Sequence, residues 1–411
     1  MKELQKAIAP TIITGLLDKC YDFVRADDLK SKGIYPYFNA IEESEGPVVQ
    51  MQGREVIMVG SNNYLGLTTH PKVQEAAIKA IEKFGTSCSG SRYLTGTISL
   101  HEELETRLAQ FVGKEAALLF STGYQTAQGV IQPLIGRGDY LLSDRDNHAS
   151  IVAGNLMARG GSNANVLRYR HNDMEHLERQ LKRIPIEAGK LIVTDGVFST
   201  FGAIAALDEI VALAKQYNAT VLIDDAHALG VIGKNGQGTA SYFDVTDDVD
   251  LIMCTFSKTL ASLGGFVAGE ERVINYLKHQ SSALIFSASP TPASVGAALA
   301  ALEVLEEEPY RVVQLQKNGA YLRKGLQQLG YKVMEGETAI VPVHIGDDNL
   351  AFKLWKGLFD NQVFTNVFVA PATPPNKAML RNSVMATHRK EHLDRVIEVY
   401  KIIGQREGLI G

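Results

Sequence analysis

Between residues 116 and 269 the chain repeats one unit: a short apolar run of β-forming residues stops abruptly on polar ones, and helical stretches separate several of the runs. The runs are "AALLF", "DYLLSD", "KLIVTDGVFS", "TVLIDDAH", "DLIMCTFSK" and "GGFVAG". One helical stretch, "ALDEIVALAKQYN", lies between two of them, and another precedes the first. In that one, "SLHEELETRLAQFVG", Leu100, Leu104, Leu108 and Phe111 fall at helical spacing and Gly113 closes the helix. Near-continuous apolar strands alternating with helices predict an α/β fold with a mostly parallel sheet covered on both faces. In such a sheet the carboxyl ends of the strands meet on one rim, where open α/β folds build their sites.

Outside that stretch the pattern changes. Residues 1–58 combine a helical opening with the extended "GIYPYFNAIEESEGPVV" and read as an N-terminal arm. Residues 59–292 hold the alternating units, and 293–411 form a smaller α+β part. An Ala-rich helix opens that part near 293–307, "AIVPVHIG" and "QVFTNVFVA" read as strands, and "RKEHLDRVIEVYKIIGQ" is the closing helix. The 411 residues suffice for more than one domain. A net charge of −5 gives no general reason to expect nucleic-acid or anionic-membrane binding. No apolar run approaches the roughly 20 residues of a membrane helix. The opening "MKELQKAIAPTIITGLLDK" lacks the features of a signal peptide. Cys20, Cys88 and Cys254 show no paired spacing, so no disulfide framework and no metal site is expected. A reducing cytoplasm is the expected compartment.

The polar strand ends carry the chemistry. "TVLIDDAH" places Asp224 and His227 behind a strand, "KLIVTDGVFS" ends on Asp195 and Ser199, and "DYLLSDRDNHAS" carries His148. "AALLFSTGYQT" ends in a Ser-Thr-Gly turn, and Lys258 follows "DLIMCTFS". Each has an ordinary reading: a hydrogen-bonded structural histidine, an Asp helix cap, a solvated lysine, a simple turn. Those readings are independent of one another, whereas pyridoxal 5'-phosphate asks for all of them at once. It needs a Schiff-base lysine, a carboxylate for its pyridine nitrogen, a phosphate cup and a ring to cover its face. A Gly turn opening a helix supplies such a cup. Other nucleotide and hydrolase signatures fail: "GVIGKNGQG" does not have G-x-G-x-x-G spacing, no P-loop occurs, and "GTSCSGSR" is not G-x-S-x-G.

Taken in order, "SNNYLGL", "GTSCSGSRYLTGT", "HEELE", "STGYQ", "TDGVFST", "IDDAHALGVIG" and "TFSKTLASLGGF" resemble the α-oxoamine synthases, a branch of the fold-type I pyridoxal-phosphate enzymes. The resemblance runs from about residue 35 to 400. It implies a large domain with a mostly parallel seven-stranded sheet and a smaller α+β C-terminal domain. It also implies roles residue by residue. Lys258 is the Schiff-base lysine, Thr255 reaches the phosphate, and Gly123 and Tyr124 offer backbone to it. Asp224 pairs with the pyridine nitrogen, while His227 and Ser199 bond the phenolic oxygen. His148 stacks on the ring. Arg381 in "MLRNSV" holds the amino-acid carboxylate, with Asn63 nearby. The family shares its sites across a homodimer, which would send Ser287 or Ala288 of "FSASPTP" toward the partner's phosphate.

Within the family, Ser257, "TLASLGGF" and "PATPPNKAMLRNSV" resemble the bacterial branch that condenses L-serine with a long-chain acyl-CoA such as palmitoyl-CoA. The product is 3-ketodihydrosphingosine, the entry to sphingolipid synthesis. Thr259 departs from the serine expected there but keeps the hydroxyl. An apolar surface near the acyl entrance would permit transient membrane contact. The competing enzyme reading is glycine or alanine with a short acyl donor, or 8-amino-7-oxononanoate synthesis. The non-enzyme reading is a catalytically silent subunit of the same fold, against which Lys258, Asp224, His227 and His148 all stand.

Overall fold

The computed structural model of the protein describes residues 15–44, 46–370 and 372–411. Most of the helical opening expected for the arm lies outside the described residues. The later part of the arm is built into a sheet: β1 (Glu43–Ser44), β2 (Val48–Met51) and β3 (Arg54–Met58) run antiparallel in sequence. The β2–β3 hairpin turns on Gln52 and Gly53, both at positive φ (54° and 68°), as a tight two-residue hairpin requires.

Seven strands form the central sheet: β4 (Ala116–Phe120), β5 (Tyr140–Asp144), β6 (Asn165–Tyr169), β7 (Lys190–Asp195), β8 (Thr220–Asp224), β9 (Leu251–Thr255) and β10 (Gly265–Gly269). Their order is β4-β10-β9-β8-β7-β5-β6. Only β10 runs against its neighbours; the others share one direction. All residues of β7, β9 and β10 are buried, as expected of strands covered on both faces. Two apolar layers lie on the two faces. One includes Leu119, Leu142, Ile192, Ile223 and Cys254, and the other Leu118, Leu141, Val193, Leu222 and Met253. Alternate residues of each strand therefore face opposite layers.

Five further strands complete the set: β11 (Lys332–Val333), β12 (Ile340–Gly346), β13 (Val363–Phe364), β14 (Asn366–Phe368) and β15 (Ala378–Ser383). The order β11-β12-β15-β14 makes a second, four-stranded sheet. "QVFTNVFVA" is not one strand. Thr365 divides it, because β13 pairs in parallel with β3 while β14 pairs antiparallel with β15. The buried Thr365 hydroxyl donates to the Arg381 carbonyl at 3.0 Å and fixes the break. Residues 292–307, Ala-rich and largely buried, form the expected helix, and Lys390–Arg406 the closing one.

Candidate active site

The carboxyl ends of β4, β7, β8 and β9, together with helix starts behind β4 and β5, surround a cavity of about 310 Å³. Its lining includes Gly123, Tyr124, His148, Asp195, Asp224, His227, Thr255 and Lys258. Parallel pairing sets the level of the acidic groups: Asp195 of β7 lies opposite Asp224 of β8, which lies opposite Met253 of β9. Burial pushes Asp224 up from the ordinary carboxylate range, against the pull of the Lys258 charge, the Ala226 N–H and His148. Burial first, and the Asp224 charge second, push Asp195 well above that range. Asp195 receives the His148 N–H on Oδ2 at 3.2 Å, and its buried Oδ1 has no partner among the described residues.

Lys258 sits in the loop after β9, and its position is held by its neighbours. Thr259 donates its hydroxyl to the Leu229 carbonyl at 2.7 Å, so the hydroxyl that Thr shares with Ser is the part in use. Gly230 (φ 73°) leaves room for this, since a Cβ there would come within 2.1 Å of Thr259 Cγ2. Phe256, fully buried, anchors the loop start against Phe266. The Lys258 Nζ makes no hydrogen bond among the described residues. Burial lowers its pKa from the ordinary lysine value, with Asp224, Cys254 and Asp195 opposing and Arg381 reinforcing the shift.

A cradle lies beside it. Helix Gly123–Leu134 starts directly behind β4, and Thr122 caps it by accepting the Gln125 N–H at 3.1 Å. A Cβ on Gly123 would come within 2.5 Å of Thr255 Cβ, so only glycine lets the helix start approach the strand end. Thr255 donates to the Gly264 carbonyl at 3.1 Å and shares a bond with Ser257 at 2.9 Å. First-turn N–H groups and hydroxyls at a helix start form an anion site.

His148 caps helix Ala149–Ser162 and shares Nδ1 with the Ser150 hydroxyl at 2.7 Å. Its ring is open to the cavity mouth. Burial and the Lys258 charge lower its pKa while Asp224 raises it. His227 is buried, and burial holds its pKa well below the ordinary value. Its Nδ1 lies 2.6 Å from the Tyr64 hydroxyl.

Arg381, in the middle of β15, is 3% exposed. Its Nε donates to the Ser199 carbonyl at 2.6 Å, Nη1 to Asn62 Oδ1 at 2.9 Å and Ser383 Oγ at 2.6 Å, and Nη2 to the Tyr64 oxygen at 3.3 Å. All four acceptors are neutral, and no carboxylate among the described residues pairs with it. A buried cation lacking a counter-charge is costly unless a ligand supplies one.

The placements differ from the sequence reading in two details. Asn63 is turned inward: its Oδ1 accepts from the Leu67 N–H at 2.9 Å and its Nδ2 donates to Thr68 at 2.8 Å. Asn62, one residue earlier, is the one that reaches Arg381. Ser199 does not line the cavity, and its carbonyl positions Arg381 instead. Ser287 and Ala288, expected at a partner's site, lie outside this cavity's lining, and the Ala288 carbonyl accepts the hydroxyl of Ser121 in the same chain. Sequence reasoning assigns no role to Tyr64, Asn62 or Asp195. Tyr64 and Asn62 stand in "SNNYLGL", and Asp195 ends a strand, so only their partners are missing from the sequence.

The site fits pyridoxal 5'-phosphate on its own geometry. The Gly123 cradle suits a phosphate, and the buried Asp224 suits a pyridinium. The unbonded Lys258 amine suits a carbonyl. Known proteins of similar sequence and fold agree. The family model "Aminotransferase class I and II" matches residues 54–399. A serine palmitoyltransferase of Sphingobacterium spiritivorum is 48% identical over 93% of this chain and 95% of its own. An 8-amino-7-oxononanoate synthase of Thermoanaerobacter pseudethanolicus is 40% identical over 95% of this chain and 98% of its own. The solved structure of S. paucimobilis serine palmitoyltransferase with a bound PLP–myriocin aldimine superposes with a TM-score of 0.92 at 34% identity, covering 96% of this chain and 100% of that one.

Proposed function

The chain belongs to the aminotransferase class I and II family, and within it we propose a pyridoxal 5'-phosphate-dependent acyltransferase that condenses L-serine with a long-chain acyl-CoA. The fold is that of the fold-type I enzymes. The reaction joins serine Cα to the thioester carbonyl carbon, releases coenzyme A and CO₂, and yields a 3-keto long-chain base, 3-ketodihydrosphingosine from palmitoyl-CoA. The observation that carries the amino-acid half is Arg381, a buried guanidinium facing only neutral acceptors. A guanidinium forms strong charge-assisted hydrogen bonds with a carboxylate, and one of the five Arg381 N–H groups, on Nη2, is not used among the described residues.

When bound, the cofactor supplies an electron sink for the charge that develops at serine Cα. The protein's residues do the rest. The Lys258 amine would hold the cofactor at its carbonyl carbon and would take and return the proton at serine Cα; burial has already lowered its proton affinity. Asp224 would keep the pyridine nitrogen protonated. The Gly123 and Tyr124 N–H groups and Thr255 would hold the phosphate. His148, at the cavity mouth, would cover the ring and would orient the serine carboxylate or polarise the thioester carbonyl. We further propose a homodimer in which a second copy covers the mouth, where Tyr124 and Leu263 line the cavity and Phe286 stands 85% exposed. In that dimer Ser287 or Ala288 would approach the partner's phosphate. No helix among the described residues is long and apolar enough to cross a membrane. A cytoplasmic enzyme with transient membrane contact is the proposed setting.

A panel of serine, glycine, alanine and threonine against acetyl-, pimeloyl- and palmitoyl-CoA tests the reading. Serine with palmitoyl-CoA should lead, because a site built around the serine hydroxyl leaves polar groups unpaired with alanine. Faster turnover of glycine or alanine with a short donor would move the chain to the 8-amino-7-oxononanoate side of its relatives.

A further inference from the structure

Tyr64 and Arg381 stand 317 positions apart in the chain yet share a hydrogen bond, and the direction of that bond decides what His227 presents to the cavity. Arg381 can only donate. Its Nη2 therefore occupies a lone pair of the Tyr64 oxygen, and the Tyr64 proton must go elsewhere. Two acceptors are in reach: Asn62 Oδ1 at 3.4 Å, already engaged by Arg381 Nη1, and His227 Nδ1 at 2.6 Å. The second is far the better distance.

His227 itself has a lowered pKa, for burial and the surrounding Lys258, Arg381 and His148 all disfavour a charged ring. A neutral imidazole carries one proton. If that proton sat on Nδ1 it would point at the Tyr64 oxygen, leaving Tyr64 only the poor bond to Asn62. If it sits on Nε2, Nδ1 is free to accept the Tyr64 proton at the short distance. His227 Nε2 makes no hydrogen bond among the described residues, and the residue lines the cavity.

We propose that Tyr64 is a positioning residue: it donates to Nδ1 of His227, locks the tautomer with the proton on Nε2, and so makes His227 a hydrogen-bond donor into the cavity. The direction of bonding runs from Arg381 through Tyr64 to His227. In the holoenzyme, whose cofactor assignment rests on the proposed function, the group that Nε2 would meet is the phenolic oxygen. A donor there favours the phenolate over the phenol. An acceptor would do the opposite.

The tautomer can be read without the cofactor or any turnover, which separates this inference from the assignment it extends. Two-bond ¹H–¹⁵N correlation spectra of ¹⁵N-histidine-labelled protein, freed of cofactor, should show His227 with a bare Nδ1 and a protonated Nε2. In Tyr64→Phe, which removes one oxygen from a fully buried ring, the Nδ1-protonated form should grow roughly two- to tenfold, the range expected for one hydrogen bond. Reloaded with pyridoxal 5'-phosphate, the same variant should lose phenolate absorbance relative to phenol absorbance by a similar factor. A proton on Nδ1 in the unmodified protein overturns the proposal, as does an unchanged tautomer or spectrum in Tyr64→Phe. If that variant does not fold, the unmodified protein's tautomer alone decides.

Discussion

The two rims of the central sheet carry cavities of opposite kind. The amino rim holds the larger one, about 580 Å³, lined by Lys114, Glu115, Asp139, Lys190, Asp250 and Glu270 among others. The carboxyl rim holds the smaller, about 310 Å³. Size and charge would select the first. Bonding selects the second. At the amino rim Lys114 Nζ donates to the Thr246 and Val249 carbonyls at 2.5 Å, and Lys190 Nζ to those of Ile186 and Ala188 at 2.9 and 2.8 Å. Asp139 and Asp250 accept backbone N–H groups of Gly136 and Val221. Those charges tie loops together. At the carboxyl rim Asp195 Oδ1 is buried with no partner among the described residues, and Lys258 and His227 line the cavity with no hydrogen bond from Nζ or Nε2 among the described residues. Charge left unsatisfied inside a fold marks the place a ligand completes.

Two lysine replacements test that contrast with the largest expected effects. Lys258→Ala should remove turnover, leaving the melting temperature nearly unmoved because the amine bonds nothing in the fold. Lys114→Ala should do the reverse: retained activity, with a stability loss of about 1–3 kcal/mol from two carbonyls left unpaired. Turnover assays and urea melts of both variants check this. Activity in the first, or a silent stability profile in the second, breaks the comparison.

Arg381 sharpens it at an intermediate scale. Arg381→Ala should lower kcat/KM for serine by roughly ten- to a hundredfold, from about 1.5–3 kcal/mol for a hydrogen bond to a charged group. Arg381→Lys should recover little, since an ammonium lacks the planar fork. Cofactor affinity, followed by absorbance titration, should change much less in both. A lysine variant equal to the wild type would mean that Arg381 holds Asn62 and Ser199 and nothing more.

Much of this rim is legible in the sequence alone. Strand ends such as Asp224 and Lys258 announce themselves because an apolar run stops on a charge. The edge strand β6 does not, because two of the five residues of "NVLRY" are exposed and break the apolar run. Residues 362–370 read as one strand because nothing in their periodicity says that Thr365 will turn toward the carbonyl of Arg381. The Asn62–Asn63 distinction is a matter of which side of one turn faces inward. The Arg381–Tyr64–His227 chain brings together residues from three distant segments, and only the packed fold assembles it. Local pattern reveals what a strand end offers; pairing across the fold reveals what it touches.

A pH-dependent effect separates two adjacent residues, Asp224 and Asp225, whose carboxyls take different partners. Asp224 lines the cavity. Asp225 is fully buried behind it, where Oδ2 accepts the Thr239 N–H at 2.9 Å. Asp225 Oδ1 and Thr239 Oγ1 are both without a partner among the described residues. Burial raises the Asp225 pKa to about 7, against the pull of Thr239. Its unfolded value is about 3.9. A folded pKa above the unfolded one means that the stability due to this group is complete below about pH 4. It is lost as pH rises to about 7, with a span on the order of a few kcal/mol. Asp225→Asn cannot titrate. The stability of the wild type relative to that variant should therefore fall between about pH 4.5 and 7 and level off above about pH 8, as urea melts at three pH values would show. Parallel profiles for the two proteins would mean that Asp225 stays ionised in the fold, and that a buried unpaired oxygen on this rim is tolerated without either proton or ligand.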